Sequence, residues 1–274
     1  MPSSFLLHRG YQIHYRLIGS GPLVTACFHG FGEQAAAFEV LVGILPGHRL
    51  VAIDLPFHGG TDWQEGEPFG PEDLLKILDG IPETAQGRIG LMGYSMGGRV
   101  ALSMLEWMPD RISHLVLLAP DGLKVSPWYT LATRTGPGIR LFRWTMHHPG
   151  WFRGMARLGA TLGLVNASVE KYVERYIDDE KKRQDLFHIW TTLAGFRPSV
   201  DDVAGIIRAH QLPTWMVFGR YDRIIPPENG HRLSSLIGLD GRIVLLECGH
   251  RILHEHNLSA LSTIFHALTP TSRT

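Results

Sequence analysis

The stretch Arg88-Ile89-Gly90-Leu91-Met92-Gly93-Tyr94-Ser95-Met96-Gly97-Gly98 decides the reading of this chain. A short, mostly apolar run enters Gly-x-Ser-x-Gly at 93–97, and Val100, Ala101, Met104, Leu105 and Met108 follow at helical spacing, with Pro109 as the stop. Strand, tight turn and helix succeed one another in the order of a nucleophile elbow. A serine on so sharp a turn needs glycine on both sides, because a side chain at 93 or 97 would strike the adjoining strand or helix. The turn makes Ser95 the candidate nucleophile. It also places the Met96 amide at a helix N-terminus, where it can donate to an oxyanion.

The chain has 274 residues, 44% of them hydrophobic, which is enough for one large core in a single α/β domain. Lysine plus arginine and aspartate plus glutamate number 26 each, so no net field draws a polyanion. Nucleic acid and an anionic membrane are therefore not expected as partners. Residues 1–15 lack a basic region, a sustained apolar run and a small-residue cleavage site, and no window approaches the roughly 18 to 20 apolar residues that span a bilayer. These features predict a soluble, cytoplasmic protein. Cys27 falls in a predicted strand and Cys248 in a loop, without paired spacing, so both read as free thiols.

Residues 3–8 and 11–18 read as a hairpin turning at Arg9-Gly10, closed by Gly19-Ser20-Gly21-Pro22. Short β-rich runs then recur at 23–28, 50–53, 88–92, 114–118, 214–218 and 242–246, with helical patterns at about 35–44, 72–80, 97–107, 227–237 and 253–267. Such alternation predicts a mostly parallel sheet of about eight strands, helices on both faces and the hairpin as an antiparallel edge. The alternation breaks at 121–196, which reads as several helices without a strand. That segment carries Trp128, Tyr129, Phe142, Trp144, Met146, Trp151, Phe152, Met155 and Leu162. It is expected to be an inserted helical cap on a core of 1–120 and 197–274, with an apolar underside above Ser95. The dense charges of 178–185 read as an exposed helix face.

A serine hydroxyl needs a base within reach and a third group to orient that base. Among 15 histidines, His250 follows the last strand in Glu247-Cys248-Gly249-His250, at the carboxyl edge where open α/β sheets gather their sites. Asp222 holds the same position one strand earlier, in Gly219-Arg220-Tyr221-Asp222. Asp121, which ends the 114–118 strand, is its rival as orienting acid.

The order Ser95, Asp222, His250 is that of the α/β-hydrolases. Over essentially its whole length the chain resembles that superfamily, through Phe28-His29-Gly30-Phe31-Gly32, Asp54-Leu55-Pro56-Phe57-His58-Gly59, the elbow, the acid loop and the Gly-His near the end. The resemblance implies an α/β-hydrolase fold and an oxyanion hole formed by the backbone N–H groups of Phe31 and Met96. It implies that His29 and His58 brace loops. Phe57 departs from the pattern, since many relatives have glycine there. The Gly97-Gly98-Arg99 ending looks like the menaquinone-pathway synthase of the superfamily and also like simple esterases. Arg99 would either pair with a surface carboxylate or enter the site, and Arg134, Arg140, Arg143, Arg153 and Arg157 of the inserted segment would bind an anion or extend outward. Tyr94, Trp128, Trp144 and Arg99 are the candidate substrate-binding side chains.

His147-His148 and the histidines at 250, 254 and 256 lack a metal-ligand pattern, and no phosphate loop or dinucleotide fingerprint is present. No cofactor and no metal are expected. The expected activity is acyl-enzyme hydrolysis of a small hydrophobic ester, thioester or lactone. Carbon–carbon bond hydrolysis, pyruvate elimination of the synthase type and ligand binding without turnover stay open as alternatives. Oligomeric state, monomer or homodimer, is not readable.

Overall fold

The computed structural model describes residues 3–45, 47–124, 127–150, 154, 179–238 and 243–268. Eight strands form one sheet in the order β1-β2-β4-β3-β5-β6-β7-β8. They are β1 Ser3–His8, β2 Tyr11–Gly19, β3 Leu23–Phe28, β4 His48–Ile53, β5 Ile89–Tyr94, β6 Ile112–Leu118, β7 Thr214–Gly219 and β8 Ile243–Leu246. The hairpin β1–β2 and the β2–β4 pair are antiparallel, while β4, β3, β5, β6, β7 and β8 run parallel to one another. Every residue of β5 is buried, as an apolar strand covered on both faces must be.

The helices are α1 Pro71–Gly80, α2 Met96–Trp107, α3 Pro127–Arg134, α4 Gly136–His147, α5 Glu180–Thr192, α6 Val200–Ala209, α7 His231–Ile237 and α8 Leu258–Leu268. Helix α1 opens with Pro71, whose missing N–H costs nothing in a first turn, and Glu72 and Asp73 complement the helix dipole there. Three expected helices are partly tighter: 3-10 segments cover Ala35–Ile44, Pro227–Gly230 and Glu255–Asn257. Helix α6 was not expected. Its start is nonetheless written in the chain, since the Ser199 hydroxyl accepts from the Asp202 N–H at 3.3 Å and Val203, Ala204 and Ile207 are buried.

The chain divides into two compact units. The first comprises residues 1–63, 71–124 and 196–274, and the second 64–70 and 125–195. In the first unit, Phe38, Leu41, Leu50, Met92, Val116, Leu118, Val217, Leu261 and Phe265 join one core cluster. The second unit has a small core of its own, Ala132, Phe142, Met146 and Phe187, against which Ile139, Leu186 and Trp190 pack. The Arg143 guanidinium lies 5.1 Å from the Phe187 ring centroid, so this arginine covers that apolar core. Segment 64–70 is tied in by the Phe69 N–H, which donates to the Thr192 carbonyl at 3.0 Å. Trp151, Phe152, Met155, Leu162, Arg153 and Arg157 lie outside the described residues. Among the described residues, no helix is long and apolar enough to cross a membrane.

Two of the buried histidines of the first unit, His48 and His114, lie in β4 and β6. His114 Nε2 lies 3.0 Å from Thr25 Oγ1, and burial pushes its imidazole down to about 4. Burial also lowers His48, whose Nε2–H donates to the Phe265 carbonyl at 3.3 Å. A folded-state value below the ordinary 6.5 means that the unfolded chain takes up a proton before the folded one does. Stability from His114 is thus complete above about pH 6.5 and declines as the pH falls toward 4, by about 3 kcal/mol. Urea unfolding at pH 7 and pH 4.5 should show this loss in the wild type and a shallower one in His114→Gln. Equal slopes would remove His114 as the cause.

Candidate active site

The elbow is built as close packing requires. Strand β5 ends at Tyr94, Ser95 turns at φ 52° and ψ −117°, and α2 begins at Met96. A methyl group on Gly93 would come within 2.3 Å of the Gly97 carbonyl oxygen, and one on Gly97 within 1.9 Å of the Phe28 carbonyl oxygen. The turn is held from both sides, because the Ser95 N–H donates to the Leu118 carbonyl at 2.9 Å while its own carbonyl accepts from Gly98 and Asp121, each at 2.8 Å.

His250 Nε2 stands 2.9 Å from Ser95 Oγ, and His250 Nδ1 stands 2.7 Å from Asp222 Oδ2. An ionised carboxylate only accepts, so the Nδ1–H donates to Asp222 and Nε2 is left to accept the Ser95 hydroxyl proton. The Asp222 side chain is fully buried, and its other oxygen accepts from the Ile224 and Ile225 N–H groups at 2.8 and 3.0 Å. Its two oxygens are therefore committed and its orientation is fixed. Asp121, the rival acid, instead pairs with Arg99 and accepts from the Gly122 N–H at 2.7 Å. Arg99 thus turns its guanidinium to this carboxylate.

The loop after β3 faces Ser95: a methyl group on Gly30 would lie 3.2 Å from Ser95 Cβ. Phe31 follows directly, and Met96 heads α2 on the other side. Two imidazoles hold this loop. His29 Nδ1–H donates to the Gly30 carbonyl at 2.8 Å while Nε2 accepts from the Leu55 N–H at 3.0 Å. His58 Nδ1–H donates to the Pro56 carbonyl at 2.9 Å, and its Nε2 accepts from the Gly32 N–H at 3.2 Å. Their ring centroids lie 4.7 Å apart. Burial and the neighbouring His58 push His29 down to about 3, so it stays neutral and keeps both bonds. Phe57 has φ 65°, the left-handed region in which glycine is the unstrained residue.

A second hydroxyl–imidazole–carboxylate chain was not expected. His14 Nδ1 lies 2.6 Å from Asp54 Oδ2, and its Nε2 meets the Ser3 hydroxyl. Here the carboxylate also binds the Ala35 and Gly60 N–H groups, at 2.5 and 2.9 Å, so it fastens the loops around the site. Ser3 lies in an extended edge strand and not on an elbow.

Of the remaining candidates, Tyr94 donates its hydroxyl to the His250 carbonyl at 3.0 Å. Trp144 is 42% exposed and stacks on His148. The side chain of Trp128 lies outside the described residues. Among the described residues, no group of three or more His, Cys, Asp or Glu side chains is placed to hold a metal ion.

Residues 26–262 match the Alpha/beta hydrolase family. The chain is 28% identical over 251 residues to the uncharacterized hydrolase YugF of Bacillus subtilis (strain 168), covering 89% of each. It is 24% identical over 254 residues to 2-hydroxy-6-oxononadienedioate/2-hydroxy-6-oxononatrienedioate hydrolase 1 of Pseudomonas putida, covering 89% of this chain and 87% of that one. Among solved structures, a thermophilic esterase from Thermogutta terrifontis superposes with a TM-score of 0.69 at 19% identity, over 98% of this chain and all of that one, which speaks for the fold. By its sheet, its elbow and its match over 26–262, this chain belongs to the Alpha/beta hydrolase family and has the α/β-hydrolase fold.

Proposed function

We propose that the protein is a cofactor-independent serine hydrolase that cleaves a carboxylic ester, thioester or lactone of a small hydrophobic substrate. The observation that carries this reading is the continuous hydrogen-bond chain from Ser95 Oγ through His250 to buried Asp222, at 2.9 and 2.7 Å. His250 takes the Ser95 proton as Oγ attacks the carbonyl carbon. The backbone N–H groups of Phe31 and Met96 stabilise the oxyanion. His250 then protonates the leaving alkoxide or thiolate, and the acyl group stays on Ser95. Water, deprotonated by the same imidazole, attacks the acyl-enzyme and regenerates the serine. Asp222 holds the imidazole in the required tautomer and stabilises the transient imidazolium.

A second reading is carbon–carbon bond hydrolysis. It is favoured by the near-full-length similarity to the Pseudomonas putida hydrolase, whose name specifies a 2-hydroxy-6-oxo dienedioate substrate. The two readings share the triad and differ in the leaving group, a heteroatom in one and, in the other, a resonance-stabilised carbanion that takes up a proton as the bond breaks.

A series of nitrophenyl acyl esters of increasing chain length should be turned over by the wild type, with a preference for apolar acyl groups. Ser95→Ala should be folded and inactive, and full activity in that variant would sink the mechanism. Turnover of a vinylogous 1,5-diketone without turnover of any ester would instead select the carbon–carbon reading.

Asp222→Asn should keep the fold and lower kcat by about ten-thousand-fold, because the amide favours the wrong imidazole tautomer. Asp121→Asn should leave kcat within about threefold, a change of less than 1 kcal/mol in the barrier. The opposite ranking would exchange their roles. A fluorophosphonate should label Ser95 and, in Ser95→Ala, leave Ser3 unmodified, as peptide mass spectrometry can establish.

A further inference from the structure

We propose that Tyr94 is the positioning residue of the site, holding the His250 segment so that Nε2 stays in line with Ser95 Oγ. The proposal rests on the reading of His250 as the base. Tyr94 is the last residue of β5 and is bonded directly to the nucleophile. Its hydroxyl donates to the His250 backbone carbonyl at 3.0 Å. Its ring stacks on the His250 imidazole, with centroids 5.6 Å apart and planes inclined by 29°. The same ring lies against the loop that carries Phe31, since a methyl group on Gly30 would be 3.3 Å from its Cδ1. One side chain thus touches the base and the loop opposite it while its backbone carries the nucleophile.

The segment from 247 to 254 has no regular secondary structure, so its position depends on individual bonds. The Asn257 amide donates to the Arg251 and Ile252 carbonyls at 3.2 and 2.9 Å. The Ile252 N–H donates to the His250 carbonyl at 2.9 Å from within the segment. Tyr94 supplies the hold on His250 from the sheet. Tyr94 is 5% exposed and borders, with Glu33, Val40, Arg251 and Leu253, a cavity of about 390 Å³. Burial, with Glu33 and Asp222 nearby, raises the phenol well above its ordinary value. The hydroxyl therefore remains a donor throughout the working pH range.

The test is Tyr94→Phe, which removes only the hydroxyl, assayed with the best nitrophenyl ester and by the rate of fluorophosphonate labelling at Ser95. A single neutral hydrogen bond predicts a fall of about 3- to 10-fold in kcat and in labelling rate, with KM within about twofold. Tyr94→Leu, which also removes the stacking, should fall further. A merely structural tyrosine would lower the melting temperature and leave both rates unchanged, and that result would overturn the proposal. Incorporation of 3,5-difluorotyrosine at 94 tests the same bond if Tyr94→Phe does not fold. Its acidified phenol loses its proton at a lower pH, and the phenolate cannot donate to the carbonyl. Glu33, Asp222, Cys248, Arg251 and His250 face the phenol in both proteins, so a new basic limb in kcat would report position 94 alone. Absence of that limb counts against the proposal. His250→Gln in parallel separates the two claims: wild-type kcat in that variant removes the base, whereas an inactive His250→Gln beside a fully active Tyr94→Phe removes only the positioning role.

Discussion

The φ of 52° at Ser95 is the constraint on which the site depends. A non-glycine residue in that region costs on the order of 1–3 kcal/mol and persists only where its surroundings over-determine it. Here they do. The Ser95 N–H is bonded to β6, its carbonyl is shared by the N–H groups of Gly98 and Asp121, and the glycines at 93 and 97 let α2 approach β5 and β3 without a Cβ between them. The strain lifts the hydroxyl off the backbone and faces it toward the ends of β7 and β8, where Asp222 and His250 reside. A serine of ordinary extended conformation, such as Ser3, meets an imidazole and a buried carboxylate without this presentation.

Much of this was legible in the sequence because backbone geometry writes itself into residue type. Gly93 and Gly97 had to be small, β5 had to be apolar throughout, and Asp222 and His250 each followed a β-rich run by a few residues. Strand limits were read to within two residues at each described end. Choosing Asp222 over Asp121 rested on placement alone. The physical discriminator, the Arg99 guanidinium that engages Asp121, could not be read from spacing because Arg99 had two plausible directions along α2.

What stayed illegible involves contacts between residues distant in the chain. Tyr94 and His250 are 156 positions apart, and His14 and Asp54 are 40 apart, so neither pair has a local pattern. Segment 64–70 joins the second compact unit although it lies between β4 and α1, within sequence otherwise belonging to the first. Helix α6 is different in kind. Its Ser199 cap, the acidic first turn of Asp201 and Asp202 and its apolar spacing were all present, but its place next to the irregular stretch masked them.

The site is made of two blocks of one sheet, joined where β6 pairs with β7 from Leu115–Thr214 to Leu118–Val217. Asp222 and His250 form one block, because β7 and β8 are paired and their loops are stitched by the Arg220 N–H to the Leu246 carbonyl at 2.8 Å and the Tyr221 N–H to the Cys248 carbonyl at 3.0 Å. Exposed links from Tyr221 and Arg220 to Glu247 add to the stitching, although each is worth little in water. Ser95, its glycines and the Gly30 loop form the other block, locked by β3, β5 and β6. Asp222 and His250 therefore keep their mutual geometry together, and the strained Ser95 keeps its own. Besides the β6–β7 pairing, the blocks are linked at the site by the Ser95 Oγ–His250 Nε2 bond at 2.9 Å and the Tyr94 hydroxyl on the His250 carbonyl at 3.0 Å. In the proposed mechanism the first of these bonds breaks and reforms in each cycle, and the second persists to return the imidazole to the serine.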